Sequence, residues 1–240
     1  MSTLDVNVTV GQLVAERPRA ARTLERLGID YCCGGRRPLA EACAERGLEA
    51  RAVLDAVAAD ENAGNGEERN WAEAALDELC DHIEATHHAF LREELPRLSA
   101  LIAKVASVHG EREPDLQTLA GVFRDFCMEL ESHMAKEEQV LFPIIRQLEY
   151  ASSLPRFHCG SVNNPIRVME FEHDSAGTAL ARMRGLTRDY TPTPEACNSY
   201  RAMLDGLAVL EKDMHQHIHK ENNILFPRAS ALEARLARQA

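Results

Sequence analysis

The chain has 240 residues, of which 45% are hydrophobic, 27% charged and only 5% aromatic, with a formal net charge of −11. That acidic balance excludes the basic surface needed against nucleic-acid phosphates or an anionic membrane. Few aromatics with abundant Ala, Leu, Glu and Arg favour helix over sheet, so the expected class is all-α.

Met1–Val8 has no signal-peptide pattern, and no apolar run approaches the roughly 18 residues of a spanning helix. Seven cysteines without secreted disulfide spacing point to a reducing, cytoplasmic compartment. Residues 1–60 read as a small helical domain. Thr9 caps a helix carrying Val10, Leu13 and Val14. Pro18 suits the first turn of a second, with Ala21, Leu24 and Leu27 on one face and Gly28 as its stop. Ile29-Asp-Tyr-Cys-Cys-Gly-Gly35 follows, then Pro38 at the start of a third helix and a fourth over 50–59. The polar, Gly-rich stretch at 61–69 reads as a linker.

Residues 70–240 then show four long helical patterns, about 71–108, 115–149, 164–189 and 195–232, which together read as a four-helix bundle. Pro143 and Pro227 fall at equivalent points of the second and fourth, and predict a kink or change of pitch at both.

The second and fourth helices repeat one motif. His133-Met-Ala-Lys-Glu137 runs on to Leu-Phe-Pro143, and His217-Ile-His-Lys-Glu221 runs on to Leu-Phe-Pro227. Residues four apart share a helix face, so each motif is a ready-made nitrogen and oxygen ligand pair. His88 and His173 stand in the other two helices at nearly the same offset. Glu137 and Glu221 facing each other in a core need positive charge between them. Two divalent iron ions supply it, bridged by both carboxylates. Helix adjacency then pairs His88 with His133 on one ion and His173 with His217 on the other. Imidazole with carboxylate suits iron, zinc or manganese and does not choose among them.

A rival set uses two Glu-x-x-His motifs, Glu84 with His87 and Glu170 with His173, together with Glu137 and Glu221; it leaves His133 and His217 without a role. His82, His109 and His215 have no repeat mate and read as surface or capping residues. His219 lies off the face of His217, and His87 and His158 stay open. Cys32 and Cys33, beside Arg36 and Arg37 near a helix start, read as thiols of lowered pKa. Of the remaining cysteines, Cys43, Cys80, Cys127 and Cys197 read as small apolar residues, with Cys159 set apart.

The segment from His88 through Glu221 resembles the hemerythrin-like di-iron domain. Joined to Tyr31-Cys-Cys-Gly-Gly35, the whole chain resembles the iron–sulfur cluster repair di-iron (RIC) family. The carrying motifs are that pentapeptide, Ser132–Glu138, Val168–Asp174 and His217–Pro227. The resemblance implies His88, His133, His173 and His217 as terminal ligands, Glu137 and Glu221 as bridges, and two non-haem iron ions as cofactor. It also implies a role in repairing clusters damaged by oxidative or nitrosative stress. The partners would be damaged or apo iron–sulfur proteins, with no nucleic acid and no membrane, and family analogy favours a homodimer. Oxygen-carrying hemerythrins place a histidine four residues beyond the one at His173, where this chain has Gly177. The missing ligand favours iron donation, or nitric oxide binding and reduction, over a dioxygen carrier. Cys32 and Cys33 are then expected to exchange thiols or pass iron, brought near the metal by the linker. The segment Phe157–Pro165 has no assigned role.

Overall fold

The computed structural model describes residues 5–63 and 69–239, the side chains of 61–63 excepted. The described residues form helices, turns and one isolated bridge between Thr9 and Pro38, with no strand among them. Contacts divide the chain into two units, one of Met1–Leu79, Leu148–Leu154 and His215–Ala240, the other of Cys80–Gln147 and Pro155–Met214.

In the first unit, α1 (Val10–Glu16) begins where Thr9 accepts the Gln12 N–H at 3.2 Å. Pro18 precedes α2 (Ala20–Arg26) instead of lying in its first turn, because the Ala20 N–H closes a turn onto Arg17 at 2.8 Å. Gly28, at φ +67°, ends α2. The Ile29 N–H reaches Leu24 O at 2.9 Å and the Gly28 N–H reaches Glu25 O at 3.1 Å, an arrangement that needs a left-handed residue. The helix α3 (Leu39–Glu45) follows Pro38, and α4 (Ala50–Ala63) runs past the expected end at 59. The helix thus takes up the first part of the expected linker, whose residues 64–68 lie outside the described ones. Val10, Leu13, Leu24, Ile29, Leu39 and Leu54 form the core of these four helices.

The first long helical pattern starts at α5 (Leu76–Ile83), not at Trp71. Asn70 instead folds residues 70–73 into a turn, its side-chain oxygen accepting the Ala72 N–H at 3.0 Å. The path continues through a π-helical turn, Glu84–His88, into α6 (Ala89–His109). The second long helix is α7 (Asp115–Lys136), a π turn at Glu137–Leu141, and α8 (Phe142–Glu149). The third is α9 (Asn163–Leu186), which ends earlier than expected because Arg188, Asp189 and Tyr190 all take positive φ, between 53° and 57°. The fourth is α10 (Asn198–Lys220), a π turn at Glu221–Leu225, and α11 (Phe226–Ala237).

The second unit is the four-helix bundle. Within it α7 packs against both α6 and α9. Gly206 lets α10 approach α6 closely, since a Cβ there would stand 2.6 Å from Leu98 Cδ2.

The predicted change of pitch at the two prolines takes the form of π turns. Pro143 and Pro227 donate no backbone hydrogen bond, and each ring crowds the carbonyl four residues back. The turn before each one widens, so that Phe142 N–H reaches Glu137 O and Phe226 N–H reaches Glu221 O, five residues away. The turn at Glu84–His88 makes the same five-residue bond from Ala89 to Glu84 with no proline to account for it.

Candidate metal centre

The bundle interior holds a carboxylate where apolar packing would be cheaper. Glu137 is fully buried, and its two oxygens face different histidines. His88 Nε2 stands 3.3 Å from Oε2, and His133 Nε2 stands 3.4 Å from Oε1. His133 Nε2 also lies 3.1 Å from His173 Nε2, the rings meeting edge to face. His133, Glu137 and His173 each offer a ligand atom within 4.8 Å of the others. The pairing of His88 with His133 on one ion is therefore wrong. The two approach opposite oxygens of Glu137, and His133 stands with His173. Helix adjacency misled because α7 neighbours both α6 and α9.

In the first unit, at the end of α10, His217 Nε2 and Glu221 Oε1 are 3.1 Å apart and both residues are fully buried. The four-residue spacing brought this pair together as the sequence implied.

Two bundle histidines are fixed from behind. His88 Nδ1 contacts Glu138 Oε1 at 2.7 Å, and Arg92 donates to both Glu138 oxygens at 2.6 and 2.7 Å. Burial pushes Glu138 up, but Arg92 and His88 outweigh it and hold this carboxyl below its usual range. His133 Nδ1 contacts Glu172 Oε2 at 2.9 Å, and Lys136 pairs with Glu172 from the other side. The His133 hydrogen bond, helped by Lys136, holds Glu172 down to about 2. An anionic partner on Nδ1 keeps the proton there and leaves Nε2 bare toward Glu137. Sequence reading missed both carboxylates, which sit next to singled-out residues but belong to no repeated motif.

The rival ligand set does not converge. Glu84 accepts from Arg146 at 2.8 Å, and His87 Nδ1 meets Asp213 Oδ1 at 2.9 Å. Among the described residues, no group of convergent donors contains Glu84, His87 or Glu170. His82 contacts Thr86 at 3.2 Å, His109 contacts Cys197 at 3.4 Å, and His158 is exposed.

Residues 81–229 match the hemerythrin HHE cation binding domain, and residues 6–61 match a domain of unknown function, DUF542. Over 224 residues, 93% of this chain and 97% of each relative, the chain is 39% identical to the iron-sulfur cluster repair protein YtfE of Citrobacter koseri. It is 40% identical to YtfE of Escherichia coli O157:H7 and 39% to that of Shigella boydii serotype 4, over the same shares. This chain belongs to the iron–sulfur cluster repair protein family. Its hemerythrin-type domain is a di-iron domain, and the donor atoms fit one. Ligands about 2.0–2.1 Å from a shared ion stand roughly 2.9–3.4 Å apart, and the spacings here run from 3.1 to 3.4 Å. His133 Nε2 and His173 Nε2, 3.1 Å apart, are close enough to share either a proton or a cation.

The cysteine loop is tied together by its own side chains. Asp30 staples it, accepting the Cys32 N–H at 2.9 Å on one oxygen and the Gly34 N–H at 2.9 Å on the other. The Cys32 and Cys33 sulfurs are 3.8 Å apart. The expected lowering of the thiol pKa fails at Cys32, which is buried. A hydrogen bond with Cys33, burial and nearby Asp30 push its thiol well up, while Arg37 pairs with Glu45 at 2.5 Å. The loop is docked on the first unit's own carboxy-terminal helix. Asn223 donates to Tyr31 O at 3.1 Å and Cys32 O at 3.2 Å, and Tyr31 meets the His219 ring edge-on at 5.4 Å. His219, set aside in the sequence, is buried beneath this contact, and burial lowers its pKa to about 4.

Among the described residues, no helix is long and apolar enough to cross a membrane.

Proposed function

We propose that this protein restores iron–sulfur clusters damaged by oxidative or nitrosative stress, by giving iron to damaged or apo iron–sulfur proteins in the cytoplasm. The reading places its modules at 1–60 and 70–240, joined through 61–69. Its ligands would be His88, His133, His173 and His217, with Glu137 and Glu221 as the carboxylate bridges. The observation that carries it is Glu137, fully buried with each oxygen turned to a different histidine, as a bridging carboxylate requires. The relatives' name, iron-sulfur cluster repair protein, supplies the client class. When bound, two ferrous ions supply a redox-active iron pool.

The side chains set how firmly that pool is held. Glu138 and Glu172 keep the Nδ1 protons of His88 and His133 in place, so each Nε2 is ready to bind. Glu137 is the exit handle, because a carboxylate can shift its binding mode or take up a proton where a thiolate would hold on. Gly177 provides no side chain to close the remaining position beyond His173.

The test is transfer from the iron-loaded full chain to an apo iron–sulfur protein under anaerobic conditions, with inorganic sulfide added as a separate reagent. Iron leaving this protein as the acceptor regains its cluster supports donation. Iron that stays bound while the acceptor remains inactive refutes it. The open position at Gly177 favours a second reading, reduction of nitric oxide. Two nitric oxide molecules, two electrons and two protons give nitrous oxide and water, with the iron retained in this protein. Nitrous oxide release by the loaded chain distinguishes that reading.

A further inference from the structure

We infer that Asn223 is a latch: it holds the Cys32–Cys33 loop closed on the helix of His217 and Glu221, and its release exposes the Cys32 thiol. The two sides are built for each other. A Cβ on Gly11 would lie 2.2 Å from Asn223 Oδ1, and one on Gly35 would lie 2.3 Å from it. Only glycine leaves room for the carboxamide at these positions. The loop walls are tied together by the Gly11 N–H donating to Gly35 O at 2.8 Å. Into this cradle Asn223 Nδ2 sends hydrogen bonds to Tyr31 O and Cys32 O, the carbonyls on either side of the first cysteine's peptide link, and lies 3.2 Å from His219 Nδ1. Two carbonyls demand a donor, so an aspartate of the same shape would turn a negative oxygen toward them. Cys32 is 4% exposed in this closed arrangement.

Asn223 also lies in the same π turn as Glu221, two residues on, with α1 packed against that turn. Whatever sets the conformation of the turn therefore sets the latch. On the reading of Glu221 as a ligand, metal binding and loop closure favour each other, and the effect is reciprocal.

The test is the alkylation rate of Cys32 by iodoacetamide in the full-length protein, followed by peptide mass spectrometry, with the buried Cys43 as internal reference. In Asn223→Asp and Asn223→Ala, Cys32 should react about tenfold faster or more, the shift expected when an opening equilibrium loses two donor contacts. Cys43 should stay protected. Gly35→Ala, which leaves Asn223 intact and fills its cradle, should give the same result and decides the matter if the Asn223 variants do not fold. Unchanged Cys32 protection in folded variants overturns the latch. So does a parallel rise at Cys43, which would mean that the module unfolds rather than undocks. Removing iron by chelation should speed Cys32 alkylation in the wild type and add little in Asn223→Ala; equal rates with and without iron overturn the coupling. Iron content, measured separately, tells failure of the metal reading from failure of the latch.

Discussion

Replacing Glu137 by Gln should have opposite effects on the metal-free and iron-loaded protein. Glu137 is fully buried and faces His88 at 3.3 Å and His133 at 3.4 Å. In the metal-free protein the divalent charge that would offset this carboxylate is gone. Desolvating a buried carboxylate costs several kcal/mol, a cost that an uncharged amide of the same volume largely avoids. Glu137→Gln should therefore stabilise the apo protein by about 2 kcal/mol, a rise in melting temperature of roughly 4–8 °C for a chain this size. With iron the same change removes a bridge. A hundredfold loss of affinity would take away about 2.7 kcal/mol of the stabilisation given by saturating metal. Melting curves of wild type and variant, each prepared by chelation and by anaerobic iron loading, read all four corners of the cycle. An apo variant that melts at or below the apo wild type would refute the argument, because Glu137 would then be held by the protein alone.

Four further outcomes follow from the same geometry. Glu138→Ala removes the anion behind His88 and should speed iron loss about 10–100-fold without loss of helix content, measured by chelator competition and circular dichroism. His133→Ala should abolish binding of the second iron while His87→Ala keeps both, by metal analysis; the reverse would revive the Glu-x-x-His set. His219 has its pKa lowered from 6.5 to about 4 by burial, so between those values the unfolded chain binds the proton that the folded chain refuses. Its contribution is complete above pH 6.5 and is lost as pH falls toward 4. Wild type should thus lose about 3 kcal/mol relative to His219→Gln across that window, by denaturant titration at each pH. Gly28→Ala, at φ +67°, should cost the amino-terminal module about 1 kcal/mol, read from the same unfolding curves.

The sequence made legible whatever follows from a constant period. His133 with Glu137, and His217 with Glu221, meet because four residues make nearly one turn, and the bundle follows from four apolar stripes of that period. What depends on contacts between distant segments was hidden. The pairing of His133 with His173 comes from how α7 sits against α9, which no local pattern encodes. Glu138 and Glu172 looked like solvated charges because nothing in the sequence shows Arg92 or Lys136 reaching over to them. Cys32 looked activated by neighbouring arginines, yet chain folding gave it Asp30 and Cys33 as neighbours instead. Asn223 was invisible because its partners, Gly11, Tyr31, Cys32 and Gly35, lie about two hundred residues away. The π turns were half legible, since two are announced by Pro143 and Pro227 and the third is not.

Each π turn has a bearing on chain length. A bond spanning five residues in place of four holds one residue more than the helix around it. Excising one residue inside such a turn, Gln139 for instance, would restore regular α-helix and leave the phase of both flanking segments as it was. The apolar stripes of α7 and α8 would still face the core. The turns begin at Glu137 and Glu221 and, in the first long helix, end at His88. The fold thus accepts a chain one residue shorter at places where the donor atoms do not, and such a deletion should yield a well-folded bundle that no longer retains iron.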